Sequence, residues 1–465
     1  MKLPTLLHAA SKLIQVIGPV FGVAAGAFAT PFFQTYVIVG ANGEAVARAV
    51  TSKDQCPKIR IDASPPVSMS LRSTAAKVPN RGGGQKDNKD ADFPVSVCEA
   101  VLPAGAKKIA VDGIRLPAPV DDLKRILFIG DTGCRMKASE DAFQACNNRL
   151  HWPFKTISQR AAAWHPDLVV HLGDIHYRES PCPVLNRGCA GSPWGYGFDA
   201  WRSDLFLPAR ALLKAAPWVV VRGNHESCWR AGQGWFRFMD ARPYVGGRSC
   251  DDPARDQEGD FSAPYAVPLA GDTQLIVFDS SRAAGKRYAS GDEAYELYAD
   301  QLRQVEELSR GKAQNFFLSH HPVLGFASSK HQEMLPGNVA LQSVMSNLHP
   351  ERLFAPGINL TLHGHVHLFE AISFKSDHPA VFVSGNAGSA LSLPLQASGP
   401  ISDQPAPGAI VEEFFSSGEF GFLTLERVNQ SWKFTEWDRG GKARLRCSLN
   451  GAKLNCLPAK RDIAK

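Results

Sequence analysis

Seven side chains able to hold metal ions stand where short apolar runs of this chain end. Ile126-Leu127-Phe128-Ile129 runs into Gly130-Asp131, and Leu168-Val169-Val170-His171-Leu172 runs into Gly173-Asp174, with Tyr177 three places on. Trp218-Val219-Val220-Val221 leads to Gly223-Asn224-His225-Glu226, Phe316-Phe317-Leu318 to His320-His321, and Leu360-Thr361-Leu362 to Gly364-His365-Val366-His367. Asp131 and Asp174 are hard oxygen donors, Tyr177 a potential phenolate and Asn224 an amide oxygen; His320, His365 and His367 offer imidazole nitrogens. A mixed oxygen and nitrogen set suits iron, zinc or manganese, whereas calcium and magnesium cages use oxygen. Seven ligands are too many for one tetrahedral zinc and suit two metals sharing a carboxylate. Two ions about 3.5–4 Å apart can clamp a phosphoryl group and generate hydroxide at neutral pH. A lone aspartate after a strand is ordinarily a turn residue; the ordered set is what argues for a site.

Short apolar runs flanked by turn residues read as buried strands, and open α/β sheets bind ligands where their strands end. From Leu123 onward strands and helices alternate, the mark of α/β layers. Helices are expected over Thr156–His165, Asp199–Ala216 and Asp292–Arg310, the second with Asp199 as N-cap and Pro217 as its stop. Further strands are expected at Gln274–Phe278 and Ala380–Ser384. The end of the chain, Gly421–Leu425, Ser431–Trp437 and Ala443–Cys456, alternates like a β-meander closed by a hairpin. Residues 30–120 lack helical periodicity. Their β-like pieces (Thr35–Val39, Lys58–Ile61, Lys108–Val111), broken by Pro, Gly and Ser, predict a small N-terminal β domain. Pro117-Ala118-Pro119 is its exit, and the polar Pro79–Asp92 stretch reads as a loop.

The 465 residues leave room for two domains, and 44% hydrophobic with 21% charged content is that of a soluble globular protein. The net charge of +6 is mild, and no basic run would track a nucleic acid. Residues 1–29 carry Lys2, Lys12 and no acid, then an apolar segment ending Ala27-Phe28-Ala29. That is the layout of a cleaved secretory signal. An uncleaved anchor is the alternative, but Gly18, Pro19, Gly22 and Gly26 make a poor membrane helix. Ten cysteines, none in a Cys-x-x-Cys pair, agree with a secreted or periplasmic protein with no stable membrane insertion after cleavage. Sequence leaves their connectivity open; pairing in succession would close five local loops, Cys182–Cys189 and Cys447–Cys456 across Gly-containing turns.

Taken in order, the five strand-end motifs resemble the calcineurin-like metallophosphoesterase superfamily. Most members carry Asp-x-His in the first motif. Here Gly133 stands at that place, and Tyr177 follows Asp174. Asp-x-Gly with Gly-Asp-x-x-Tyr resembles the purple acid phosphatases, whose tyrosine binds ferric iron. The resemblance covers roughly Leu123 to Leu425 and implies an α/β fold: a four-layer α/β/β/α sandwich over 121–465, preceded by the small N-terminal β domain. It implies two metal ions. Fe(III) takes Asp131, Tyr177, His367 and the bridging Asp174; Fe(II), Zn(II) or Mn(II) takes Asp174, Asn224, His320 and His365. His225 matches the family histidine that contacts the substrate and protonates the leaving group. His331 is the nearest match to a second substrate histidine, an exposed loop histidine being the equal alternative. His176 has two readings, toward the substrate or into the core. Cys134 reads as half of a disulfide. The implied activity is hydrolysis of phosphate monoesters by a metal-bound hydroxide, best at acid to neutral pH. The alternatives are a phosphodiesterase or nucleotidase on the same fold, and a secreted binding protein without activity; the last is opposed by all seven ligand positions being filled.

Overall fold

The computed structural model describes residues 32–81, 89–245, 248–329, 331, 333–395 and 401–459. The expected signal segment, 1–29, and the Gly82-Gly83-Gly84 part of the expected loop lie outside them.

Two-residue alternation in the strands builds three cores. Ile126 and Phe128 of Arg125–Ile129 face inward to a core shared by two sheets, and Leu127 and Ile129 face outward to helices. In the second sheet Phe316 and Leu318 of Gln314–Ser319 enter the shared core, and Phe317 enters an outer one. The first outer core takes Ile157 and Ala161 of the helix Phe154–Ala163. The second takes Tyr298, Leu302 and Val305 of Glu293–Ser309 and Leu341 and Val344 of Val339–Leu348. The result is the expected α/β/β/α layering.

In the first sheet Arg125–Ile129, Leu168–His171 and Trp218–Val220 run parallel. In the second, Thr273–Val277, Gln314–Ser319, Ile358–His363 and Ala380–Ser384 do the same. Their carboxyl ends carry the motifs. The C-terminal meander forms as expected from Gly421–Val428, Ser431–Asp438, Ala443–Asn450 and Lys453–Pro458, paired in succession along one flank of the first sheet. On the other flank the N-terminal β-rich region adds Phe33–Val39, Ala45–Thr51, Ser96–Leu102 and Ser70–Ser73. These join through a parallel pairing of Ile38 with Trp218. Phe32–Lys465 form one compact unit.

The helix expected over Asp199–Ala216 is broken. Phe198–Trp201 is α-helical, Arg202–Phe206 is wound as a π-turn, and Arg210–Ala215 resumes the α-helix. Pro208 lies in the interruption and has no N–H for a helical bond. Asp199 lies inside the first turn, after the N-cap Gly197. All ten cysteines pair in succession: Cys56–Cys98, Cys134–Cys146, Cys182–Cys189, Cys228–Cys250 and Cys447–Cys456.

Candidate metal centre

Each motif turns sharply off its strand. Asp131, Asp174 and His365, each following a glycine, hold φ of 55°, 54° and 69°. This left-handed region is costly for a residue with a side chain and recurs at functional sites. The glycines give room for it: a Cβ on Gly223 would lie 2.1 Å from Asp174 Oδ1, and one on Gly364 or Gly385 would lie 2.7 Å from Asp131 Oδ2.

Four of the seven expected ligands converge on one point. Tyr177 Oη lies 2.8 Å from Asp131 Oδ1, 2.9 Å from Asp174 Oδ2 and 2.7 Å from His367 Nε2. His367 spends its Nδ1–H on the carbonyl of Ala390, 2.7 Å away, so its Nε2 turns a lone pair inward. The phenol has one proton for three neighbours, each presenting a lone pair. Burial and both carboxylates push its pKa well above the ordinary value, so a phenolate forms there only beside a cation.

The other three gather next to this point. His320 donates Nδ1–H to the carbonyl of Leu172 at 2.8 Å, and its Nε2 lies 3.1 Å from both Asp174 Oδ2 and Asn224 Oδ1. His365 Nδ1 is 3.1 Å from the same Asn224 oxygen. Donor atoms of Asp174, His320 and His365 lie within 4.8 Å of one another. Burial opposes charge on His320, yet Asp174 and Asp131 hold it up at about 9. The pocket calls for positive charge, which a proton or a metal supplies. Asp174 touches both groups, as a bridging ligand must. The donor set therefore fits two cations, a harder one at Tyr177 and a borderline one at His320 and His365.

Residues outside the expected set hold the ligands. Glu226 is fully buried and accepts N–H bonds from Asp174 (3.0 Å), Ile175 (2.9 Å), His176 (3.0 Å) and Gly223 (3.1 Å). It thereby locks the Asp174 turn to the Asn224 turn. Asp204, on the π-turn, accepts the N–H groups of Cys134 and Tyr177 at 3.0 and 2.9 Å and pairs with Arg178 at 2.6 Å. Gly133 sits where the Tyr177 segment passes: a Cβ there would meet Ile175 O at 2.5 Å and Tyr177 N at 2.9 Å.

His225 stands above the centre, its ring 4.0 Å from that of Tyr177 and its Nε2 3.7 Å from Asp174 Oδ2. Glu179 Oε1 takes its Nδ1 at 2.7 Å, and Arg230 binds that same carboxylate. Burial and Arg230 push His225 down to about 4, against the pull of Asp174 and Glu179. Glu179 and Arg230 had a faint sequence signal, charged residues two places after Tyr177 and five after His225. Nothing local said that they would meet.

Asp174, Tyr177, Asn224, His225, His365 and His367 line a cavity of 440 Å³, with Arg135, Lys137 and Arg230 at its sides. His331 is not brought to it. That residue is exposed on the turn between Ala327–Ser328 and Met334–Leu335. Of the two readings for His176, the structure takes the core: its Nε2 lies 2.9 Å from the Gly195 carbonyl, and its ring packs near Tyr196 and Trp201. His321 bonds Ser280 and lays its ring 4.2 Å from that of His365.

Solved structures share the fold, two of them over nine-tenths of this chain. A purple acid phosphatase from yellow lupin (Lupinus luteus) seeds superposes with a TM-score of 0.53 at 14% identity, over 91% of this chain and 74% of its own. PhoD superposes with a TM-score of 0.52 at 12% identity, over 92% of both chains. No curated protein sequence matches the chain. The family model for calcineurin-like phosphoesterases matches residues 124–369, more than half of the chain and all seven converging ligands. The chain belongs to the calcineurin-like phosphoesterase family and is a metal-dependent phosphoric ester hydrolase.

Proposed function

We infer that this enzyme is a purple acid phosphatase-like monoesterase, with ferric iron at Tyr177 and iron, zinc or manganese at the neighbouring position. The observation that carries the reading is the meeting of Tyr177 Oη, Asp131, Asp174 and His367 Nε2 around one point. A phenolate and two carboxylates form a hard, anionic set suited to a trivalent ion. Asp131, Tyr177, His367 and Asp174 hold the first metal; Asp174, Asn224, His320 and His365 hold the second. Bound there, the two ions would supply Lewis acidity, lowering the pKa of a water and neutralising the phosphoryl oxygens.

The chain's own residues do the rest. Arg230 and the two metal positions orient the phosphate. His225 presents Nε2 over the centre because Glu179 holds its other nitrogen. A bound phosphate dianion beside the ring raises its proton affinity, so His225 is placed to protonate the leaving oxygen. We assign no catalytic part to His331, whose exposed turn offers the substrate no hold. Export fits the five disulfides, which persist in oxidising compartments. Among the described residues no helix is long and apolar enough to cross a membrane.

The test is the visible spectrum of the oxidised, metal-loaded protein beside Tyr177→Phe, with turnover of 4-nitrophenyl phosphate and of bis(4-nitrophenyl) phosphate. A broad charge-transfer band lost in Tyr177→Phe, with the monoester preferred, is the expected result. A colourless protein that holds two metals and prefers the diester would instead make it a diesterase on this fold. Two bound metals without turnover of either ester would leave a binding protein.

A further inference from the structure

Directly after Asp131 the chain enters a small hairpin, Met136–Lys137 against Ala142–Phe143, closed by the Cys134–Cys146 disulfide. Arg135 and Lys137 flank Met136 and project to the side opposite it. Met136 is buried with Cys134, Cys146 and Cys189, whereas both basic side chains line the cavity over the metal ligands. The hairpin is held in place: Met136 N–H donates to the Tyr177 carbonyl at 3.0 Å, and Glu179 N–H donates to the Met136 carbonyl at 3.0 Å. The Arg135 guanidinium carbon lies 5.8 Å from the Tyr177 ring centroid.

Glu140 pairs with both cations. Its Oε1 is 2.8 Å from Lys137 Nζ, and its Oε2 meets Arg135. One carboxylate between two cations leaves a net positive charge on the cavity wall. The side chains are only 22% and 20% exposed, so water screens that charge less than it would on an open surface. Arg230, paired with Glu179, serves the scissile phosphate. A monoester phosphate seated on the metal ligands leaves one positive charge of the Arg135–Lys137–Glu140 group unbalanced.

We propose that Arg135 and Lys137 form a second-anion subsite, which selects substrates carrying a second phosphate next to the scissile one. This rests on the phosphoesterase reading above and names the substrate class of that same cavity. Glu140 is the internal counter-ion that holds the two cations in position and that the substrate's second phosphate partly displaces.

The experiment compares ADP with AMP, which share a nucleoside and differ by the second phosphate. The full-length, metal-loaded protein is set beside Arg135→Ala/Lys137→Ala and Glu140→Gln, with metal content measured afterwards to detect chelation. In the wild type kcat/KM for ADP exceeds that for AMP. In the double variant the ADP-to-AMP ratio falls about tenfold, carried by KM. In Glu140→Gln it rises, an outcome that misfolding cannot produce. A ratio unchanged in the double variant, or a ratio that falls in Glu140→Gln, would overturn the subsite. If neither nucleotide is hydrolysed, the same pair is compared by equilibrium binding. Tighter ADP binding that the double variant loses keeps the subsite and equal binding overturns it, while the hydrolase reading stands or falls separately on the 4-nitrophenyl esters.

Discussion

Gly133 and Tyr177 occupy the same small volume from two directions, which supports the ligand we propose for the first metal position. With the Tyr177 segment 2.5–2.9 Å from any Cβ at 133, a histidine cannot stand in the Asp131 turn, and in our proposal the phenol of Tyr177 supplies the donor instead. Gly133→Ala should therefore destabilise the protein by about 1–3 kcal/mol, seen as a lower denaturation midpoint, and should loosen metal at the Tyr177 position, seen by elemental analysis. His225 tests the chemistry. Removing a group that protonates the leaving oxygen slows turnover by about a hundredfold or more. His225→Ala should lose more with phenyl phosphate than with 4-nitrophenyl phosphate, whose leaving group needs little help. Equal losses on the two esters would reduce His225 to a binding residue.

At the level of elements, the strand Phe369–Phe374 carries a buried carboxyl apart from the metal centre. Glu370 is fully buried, receives the Phe326 N–H at 3.0 Å on Oε2 and, among the described residues, has no partner for Oε1. Burial raises its pKa to about 8, the Phe326 N–H offsetting only part of this. An acid raised in the folded state keeps its proton there while the unfolded chain releases it. Stability is then whole below the unfolded value of about 4.3 and is lost as pH rises toward 8. Glu370→Gln should be more stable than wild type at pH 8, by an amount on the order of a few kcal/mol. That gain should vanish by about pH 4; thermal melts across pH give the answer. The disulfide hairpin is a second element-scale test. Cys134–Cys146 closes a short loop, and Cys134→Ser/Cys146→Ser should cost about 2–3 kcal/mol while weakening ADP more than AMP.

The whole molecule ties its N-terminal strands to the catalytic half through buried cations. Arg48 is fully buried and donates to the Phe238 carbonyl at 2.7 Å; Arg72 reaches the carbonyls of Phe236 and Arg242 at 2.7 and 2.9 Å and pairs with Glu99 at 2.8 Å. These are the last carbonyls of the helix Gly232–Phe238 and the chain beyond it, which begins just after Arg230. Removing residues 32–120 would uncover the edge at Trp218–Val220 and leave those carbonyls without donors. Such a truncation should be insoluble or molten, checked by solubility and near-ultraviolet circular dichroism. Arg48→Met should cost about 1–3 kcal/mol, since the buried carbonyls of Phe238 and Asp240 would lose a donor.

The sequence by itself determined the strands, their ends and the ligand types at those ends. Each is a local property: a run of apolar residues, a glycine where the backbone must take positive φ, and a donor side chain beside it. It also determined the C-terminal meander, which joins near neighbours, and offered pairing of the cysteines in succession, a connectivity that the structure then decided. The broken helix after Phe198 was marked by Pro208 and still escaped, because the helical period continues through it. Tertiary structure alone decided what depends on distant segments meeting. The N-terminal strands extend the first sheet because Ile38 pairs with Trp218, 180 residues away. Glu226 serves four N–H groups from two turns, Asp204 braces Tyr177 from another element, and Glu179 and Arg230 close around His225. His176 turned to the core and His331 stayed at the surface for the same reason. A side chain's direction is set by what packs against it, and no periodicity in the chain records that.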